Sequence, residues 1–190
     1  MYKRLLKVYH HTLDLMSARA LASLDTKFGE AKVFADIIAP QLSPAARILD
    51  VGSGAGLPGV PLAIAFPNHQ ITWVERRQRR ANFLRIVVSQ LELANVVIVP
   101  ADVRTHQDAT YSWICAQAVG RDTLLYCLTR HLHTETVTLV TRRGDLSPTE
   151  RADLERITGP VLAETVAALP SHGTLVARRL QGGQRCPSSV

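Results

Sequence analysis

Residues 48–59 read ILDVGSGAGLPG, an apolar run ending in an acid and then four glycines within eight positions. A backbone without Cβ atoms can turn sharply and lie close to a ligand. If the run before it is a strand and a helix follows, the first helical N–H groups are free to donate there. Two ligand classes compete for such a turn. A dinucleotide fingerprint needs G-x-G-x-x-G. Gly52 and Gly54 fit it, but the third glycine is Gly56 and the required position holds Leu57, so the run is D-x-G-x-G-x-G led by Asp50. An acid pointing into the loop repels a pyrophosphate. It suits a ligand that carries an ammonium group and hydroxyls. S-adenosyl-L-methionine is such a ligand, zwitterionic, with a sulfonium and no phosphate. Asp50, Gly52, Ser53, Gly54 and Gly56 are therefore candidate cofactor contacts.

Two further acids fit the same ligand. Glu75 ends a second apolar run, where a carboxylate can accept hydrogen bonds from both ribose hydroxyls. Asp102 follows a third, where it could accept from the adenine amino group. The stretch ERRQRR, residues 75–80, sets Arg76, Arg77, Arg79 and Arg80 beside the mouth of that pocket, and Arg142 and Arg143 follow a later strand at the same edge. Guanidinium forks suit phosphates. Arg178 and Arg179 end the last strand and need not share that face. His10, His11 and Asp14 are polar residues within a helical pattern. They could contact substrate, or cap and pair in the N-terminal helices.

The acceptor is narrowed by what is missing. Residues 114–120 read ICAQAVG, without the Asn-Pro-Pro-aromatic run that grips an exocyclic amine and without a Pro-Cys pair that attacks a pyrimidine ring. An acceptor that is already nucleophilic fits best. Guanine N7 has an in-plane lone pair, so its methylation needs alignment with the sulfonium methyl and no catalytic acid or base. Cys115, Cys127 and Cys186 have no CxxC spacing and no clustered histidines, which argues against a metal site or a disulfide framework. Cys115 and Cys127 lie in apolar runs and are expected in the core.

The elements that must position these residues follow from periodicity. Residues 2–24 suit one or two helices. A further helix near Phe28–Leu42 is expected to be capped by Asp25. Strands are expected at Arg47–Val51, Ile71–Glu75, Val96–Val99, Trp113–Ala118 and Thr136–Thr141. They alternate with helices from near Pro58, at Arg79–Leu91, at Thr123–His131 and at Thr149–Ile157. Val161–Ala168 and Thr174–Arg179 read as two strands joined by LPSHG. Alternation predicts a parallel sheet with helices on both faces. The fold class is therefore α/β and Rossmann-like, a mostly parallel seven-stranded sheet with an antiparallel C-terminal hairpin and N-terminal helices. The expected division is a helical region at 1–44, a cofactor-binding domain at 45–180 packed with it as one unit, and a flexible tail at 181–190.

The chain has 190 residues, 46% hydrophobic and 20% charged, enough for one well-filled domain, and only 5% aromatic. Its net charge is +6, which favours a polyanionic partner such as nucleic acid, or an anionic cofactor. No signal-peptide stretch or membrane-length apolar run is present. A cytoplasmic monomer without a membrane partner is the expectation.

LDVGSGAGLPGVPLAIAFP, residues 49–67, resembles the signature of the bacterial small-subunit rRNA guanine-N7 methyltransferases, the RsmG or GidB family. Leu57-Pro58-Gly59 after the third motif glycine makes the resemblance specific. It continues through RRANFLRIVVSQLEL at 79–93, through HTLDLMS at 11–17, similar to the family's His-x-x-Asp-Ser stretch, and weakly through RRG at 142–144. The resemblance implies cofactor contacts at Gly52 and Leu57, around Asp102 and Val103, and at the end of the fourth strand, where Gln117 lies. It also implies ribosomal RNA or the small ribosomal subunit as partner, with a guanine as acceptor. One departure stands out: the family usually has Ser-Arg-Ala where this chain has Ala116-Gln117-Ala118, and a neutral glutamine supplies no charge or guanidinium fork. Two alternatives stay open. One is a methyltransferase of the same fold acting on another RNA or a small molecule. The other is a non-catalytic RNA-binding relative.

Overall fold

The computed structural model describes residues 1–106, 110–120, 122–123, 136–142, 152, 156 and 161–181. Helices α1 (Tyr2–Tyr9), α2 (Ala18–Ala22) and α3 (Leu24–Ile38) precede β1 (Ile48–Val51), α4 (Gly59–Ala65), β2 (Ile71–Val74), α5 (Gln78–Leu91), β3 (Val96–Val99), β4 (Trp113–Ala116), β5 (Thr136–Arg142), β6 (Val161–Ala168) and β7 (Thr174–Gln181). The seven strands form one sheet in the order β3-β2-β1-β4-β5-β7-β6. β1 pairs in parallel with both β2 and β4. The chain therefore leaves β1 at the point where strand order reverses, the place where open α/β sheets bind ligands. β7 runs antiparallel to both of its neighbours.

Strands β1, β2 and β4 are each only four residues long and buried throughout, as expected of parallel strands covered on both faces. Side chains alternate across the sheet, so each strand feeds two cores. Ile48, Trp73 and Cys115 meet Leu6, Phe34, Leu62 and Phe83 from the helices on one side. Leu49, Val51, Val74 and Ile114 meet Tyr111, Val137, Leu139 and Leu180 on the other. Cys115 is buried as expected. Cys127 and Cys186 lie outside the described residues, as do most of the helices expected at 123–131 and 149–157 and most of the expected tail.

Local chemistry sets the helix ends. Ser17 caps α2, its side chain accepting from Ala20 N at 3.2 Å. α3 starts four residues earlier than the sequence suggested, and Asp25 is not its cap: Ser23 holds that position and Asp25 sits in the first turn, where an acid suits the helix dipole. α3 also stops earlier, at Ile38, because Pro40 converts the next residues, Ala39–Gln41, into a short 3-10 turn. α5 buries Phe83, Leu84 and Val87 and ends on a left-handed Glu92. The fourth strand is shorter than expected, ending at Ala116, and the last is longer, reaching Gln181.

α4 is packed tightly against the sheet. A Cβ on Gly59 would stand 2.5 Å from Asp50 Oδ2 and 2.7 Å from Trp73 Nε1, and both side chains are buried with no room to retreat. Helix propensity favours alanine over glycine by about 1 kcal/mol, whereas overpacking a filled core costs ~1–3 kcal/mol. Gly59→Ala is therefore expected to lower stability in urea denaturation. An equal or higher midpoint at unchanged slope would contradict the packing.

Candidate functional site

The glycine loop is held to the neighbouring strand by its own backbone. Gly52 N and Ser53 N both donate to Val74 O, at 2.8 and 3.2 Å, and Gly56 N donates to Ser53 O at 2.6 Å. Ser53 Oγ donates to Asp50 O at 3.0 Å. The Glu75 carboxylate then ties two loops together. Its Oε2 accepts from Gly54 N at 2.9 Å and its Oε1 from Arg77 N at 2.7 Å. Gly56 has φ +92°, and a Cβ there would stand 2.7 Å from Val60 and 2.9 Å from Tyr2 Oη. Only glycine meets both conditions at once. The Leu57–Pro58 bond is cis. Tyr2, from α1, lies buried beneath the loop and donates to Ala55 O at 2.6 Å. Burial, with the Asp50 charge nearby, pushes its hydroxyl well above the ordinary tyrosine range. Nothing in the sequence singled out Tyr2 or pointed to its contact with the loop.

A cavity of about 360 Å³ opens above this loop, within the range of small-molecule and cofactor sites. Val51, Gly52, Val74 and Glu75 form its floor, Ala101, Asp102 and Val103 one side, and Ala118, Val119, Gly120 and Thr123 the other. The residues present fit a nucleoside bearing an amino-acid arm. Apolar Val74, Val103 and Val119 can sandwich a flat ring. Each Glu75 oxygen accepts one backbone N–H and keeps a lone pair for a ribose hydroxyl. Asp102 lies at the rim, where the Arg104 side chain and backbone N–H hold its carboxyl down to about 2.

Several expected contacts are placed elsewhere. Asp50 does not line the cavity. It shares a sheet face with Ile48, and its carboxyl turns toward Gly59 and Trp73, away from the loop opening. Ser53, Gly54, Gly56 and Leu57 shape the loop without lining the cavity. Gln117 is half-buried beside it, and the wall is made by the next three residues instead. Ala118 has φ +56°, so the chain turns there immediately after β4.

The structure gathers some of the expected cations and separates others. Arg76, Arg77 and Arg80 line the cavity mouth, and Arg79 is exposed next to them. Asp14, with φ +48°, crosses from the N-terminal segment to meet them. Its carboxylate lies 3.4 Å from Arg80 and 3.6 Å from Arg77, and Arg80 also donates to its backbone carbonyl. His11 is exposed three residues before Asp14. Arg142 is at the expected edge, but its guanidinium is directed inward: it donates to Ser171 Oγ at 3.1 Å and His172 O at 2.7 Å, and stands 3.6 Å from the buried Glu30. Arg143 lies outside the described residues. Arg178 is buried on Glu164.

The fold and this cavity define a Rossmann-like methyltransferase. A methyltransferase from Aquifex aeolicus that depends on S-adenosylmethionine superposes with a TM-score of 0.61 at 15% identity, covering 95% of this chain and 98% of that one. The family model for GidB, rRNA small subunit methyltransferase G, matches residues 1–159. The chain belongs to that family. It is similar to the ribosomal RNA small subunit methyltransferase G of Chromobacterium violaceum, 35% identical over 76% of this chain and 70% of that protein. It is also similar to the enzyme of the same name from Methylobacillus flagellatus, 31% identical over 70% of this chain and 65% of that protein. S-adenosylmethionine is the cofactor of this fold.

Asp50 carries a pH signature. Burial pushes its carboxyl up to about 7, against the pull of Ser53 and the Gly59 backbone toward the charged form, and the Glu75 charge adds to the rise. Unfolded, the group titrates near about 3.9. The folded state thus holds the proton longer, and Asp50's contribution to stability is lost as pH rises from about 4 to about 7. Asp50→Asn removes that loss. Relative to wild type, the variant is expected to gain stability steadily across this window in denaturant titrations. A difference that stays constant from pH 4 to 8 would refute the shift.

Proposed function

We propose that this chain methylates N7 of a guanine in small-subunit (16S) ribosomal RNA, as a cytoplasmic monomer. Family membership over residues 1–159 supports the class of substrate. The observation that carries the choice of atom is that both carboxylates among the described residues lining the cavity are already engaged, leaving neither poised as a general base. Among the described lining residues the only carboxylates are Glu75 and Asp102. Glu75 is held by two backbone N–H groups and Asp102 by Arg104. A carboxylate held down to about 2 takes protons poorly at neutral pH. Guanine N7 needs no proton removed, because its lone pair lies in the ring plane.

S-adenosylmethionine supplies an electrophilic methyl on a sulfonium. The chain's part is to bind and align. Glu75 accepts the ribose hydroxyls, Asp102 and Val103 meet the adenine, and Gly52 lets the backbone approach the amino-acid arm. Ser53, Gly54, Gly56 and Leu57 hold that backbone in shape, and Asp50 supports it from below. Gln117, with the turn at Ala118 behind it, bounds the side on which the acceptor base enters. Arg76, Arg77, Arg79 and Arg80 receive RNA phosphates. Asp14 orients two of them and His11 stands on the same side. Holding the acceptor in line with the methyl is worth up to about 7–11 kcal/mol in favourable cases, which is why alignment can suffice.

Loss of a backbone-anchored charged acceptor costs ~1–3 kcal/mol. Glu75→Ala is therefore expected to weaken S-adenosylhomocysteine binding about ten- to a hundredfold by calorimetry. The function itself is tested by nucleoside mass analysis of 16S rRNA from cells with and without the gene. One N7-methylguanosine should disappear, return with the wild-type gene and not return with Gly52→Arg. An unchanged guanine methylation pattern would refute the assignment.

A further inference from the structure

The net positive charge of the chain is concentrated on two packed elements. Residues 1–13 and 76–91 together contain eight of the 22 Lys and Arg and none of the 16 Asp and Glu, so everything else carries more carboxylates than cations. The two segments are neighbours. α1 packs on α5, with the Tyr9 and Phe83 rings 5.9 Å apart. The outer face of α1 exposes Lys3, Arg4 and Lys7. Lys3 is engaged with Asp25 and lies over the Phe28 ring. Arg4, Lys7 and Arg79 form no ion pair among the described residues.

The placement also opposes helix stability. α5 has no acid in its first turn and no side-chain cap. Instead Arg79 and Arg80 occupy that turn with Arg77 at the cap, at the positive end of the dipole, where cations are unfavourable. Asp14 offsets Arg77 and Arg80 within the chain, but Arg4, Lys7 and Arg79 leave a net positive ridge that an incoming anion would relieve. Asp14, the first acid in the chain, touches this ridge only at its inner end, where Arg77 and Arg80 reach the cavity.

Resting on the RNA reading above, we propose that the outer face of α1 continues the basic rim of α5 into a docking track for the RNA phosphate backbone. In this track Arg4 and Lys7 hold phosphates remote from the acceptor base. They would supply affinity without sequence readout, leaving base selection to the cavity mouth. The track needs no rearrangement of the cofactor site, because the α1 residue that reaches that site, Tyr2, points to the opposite side of the helix and is buried.

The test is salt-dependent binding of a 16S rRNA transcript, with methylation kinetics alongside. Each lost phosphate contact lowers the log–log salt slope by about one. Arg4→Gln/Lys7→Gln is expected to reduce the slope by about two and to weaken RNA binding roughly tenfold or more at 0.1 M salt. KM for RNA should rise by the same factor, with kcat and S-adenosylhomocysteine affinity unchanged. Lys32→Gln/Arg179→Gln, matched in net charge but placed on α3 and β7, should bind like wild type. If both double variants lose the same amount, overall charge and not the ridge is responsible, and the proposal falls. It falls alone if wild-type binding is salt-dependent and Arg4→Gln/Lys7→Gln matches it in affinity and slope. If the wild type itself shows no salt-dependent RNA binding, the RNA reading fails with it. Binding to phosphatidylglycerol vesicles that the same two substitutions abolish, with RNA binding intact, would assign the ridge to a membrane surface and also overturn the proposal.

Discussion

The Glu75 carboxylate organises this site. It is buried at the end of β2, where an ionised acid is costly unless hydrogen bonds surround it. Both oxygens are satisfied by backbone, one from the loop after β1 and one from the start of α5. Bonds of this charge-assisted kind are about twice as strong as neutral ones. Because both donors are main-chain groups, side-chain variation around them leaves the arrangement standing. The loop is thereby fixed against the strand, and α5 begins at a set distance from it. The arginines on the first turn of α5 inherit that position. One acid thus sets the floor of the cavity and the location of its rim.

The two halves of the sheet carry different duties. The cavity lies at the ends of β3, β2, β1 and β4. The half built from β5, β7 and β6 is fastened to α3 by a polar cluster: Lys27 donates to Glu30 at 2.8 Å, Ser171 donates to the other Glu30 oxygen, and Arg142 bridges Ser171 and His172. Desolvation disfavours the Glu30 charge, yet the Lys27 and Ser171 hydrogen bonds and the nearby Arg142 charge outweigh it and leave the carboxyl below the usual glutamate range. A buried cluster is strong only when every member is satisfied, and here each polar group faces another. α3 therefore acts as a brace between the turn after β6 and the helices that carry the loop.

What the sequence disclosed was local, and what it hid was not. The glycine spacing and the acids Glu75 and Asp102 after two apolar runs are short-range patterns, so a cavity at these strand ends could be expected from local sequence alone. Strand alternation also gave the order of the elements. The orientation of Asp50 was out of reach, because a four-residue strand buried on both faces offers no polar side to set the phase. The Tyr2–Ala55 bond joins residues 53 apart and the Arg80–Asp14 pair residues 66 apart; no periodicity reports such contacts. The inward direction of Arg142 is hidden for the same reason, since its partners come from α3 and from the turn after β6. Asp25 was mistaken for a cap because serine and aspartate are both good caps, and Ser23 stands two residues earlier.

The position of β7 governs how the molecule can be assembled. Among the described strands β6 pairs with β7 alone, and β7 separates it from β5. A growing chain that has made everything through residue 173 still holds two strands with open edges, neither able to close on the other in the native order. Such edges recruit stray strands. The insertion of β7 between β5 and β6 is a long-range event of the kind that slows folding, so this strand is the wedge that completes the sheet. Truncations within residues 174–181 would be felt as far away as α3, through the turn that carries Ser171.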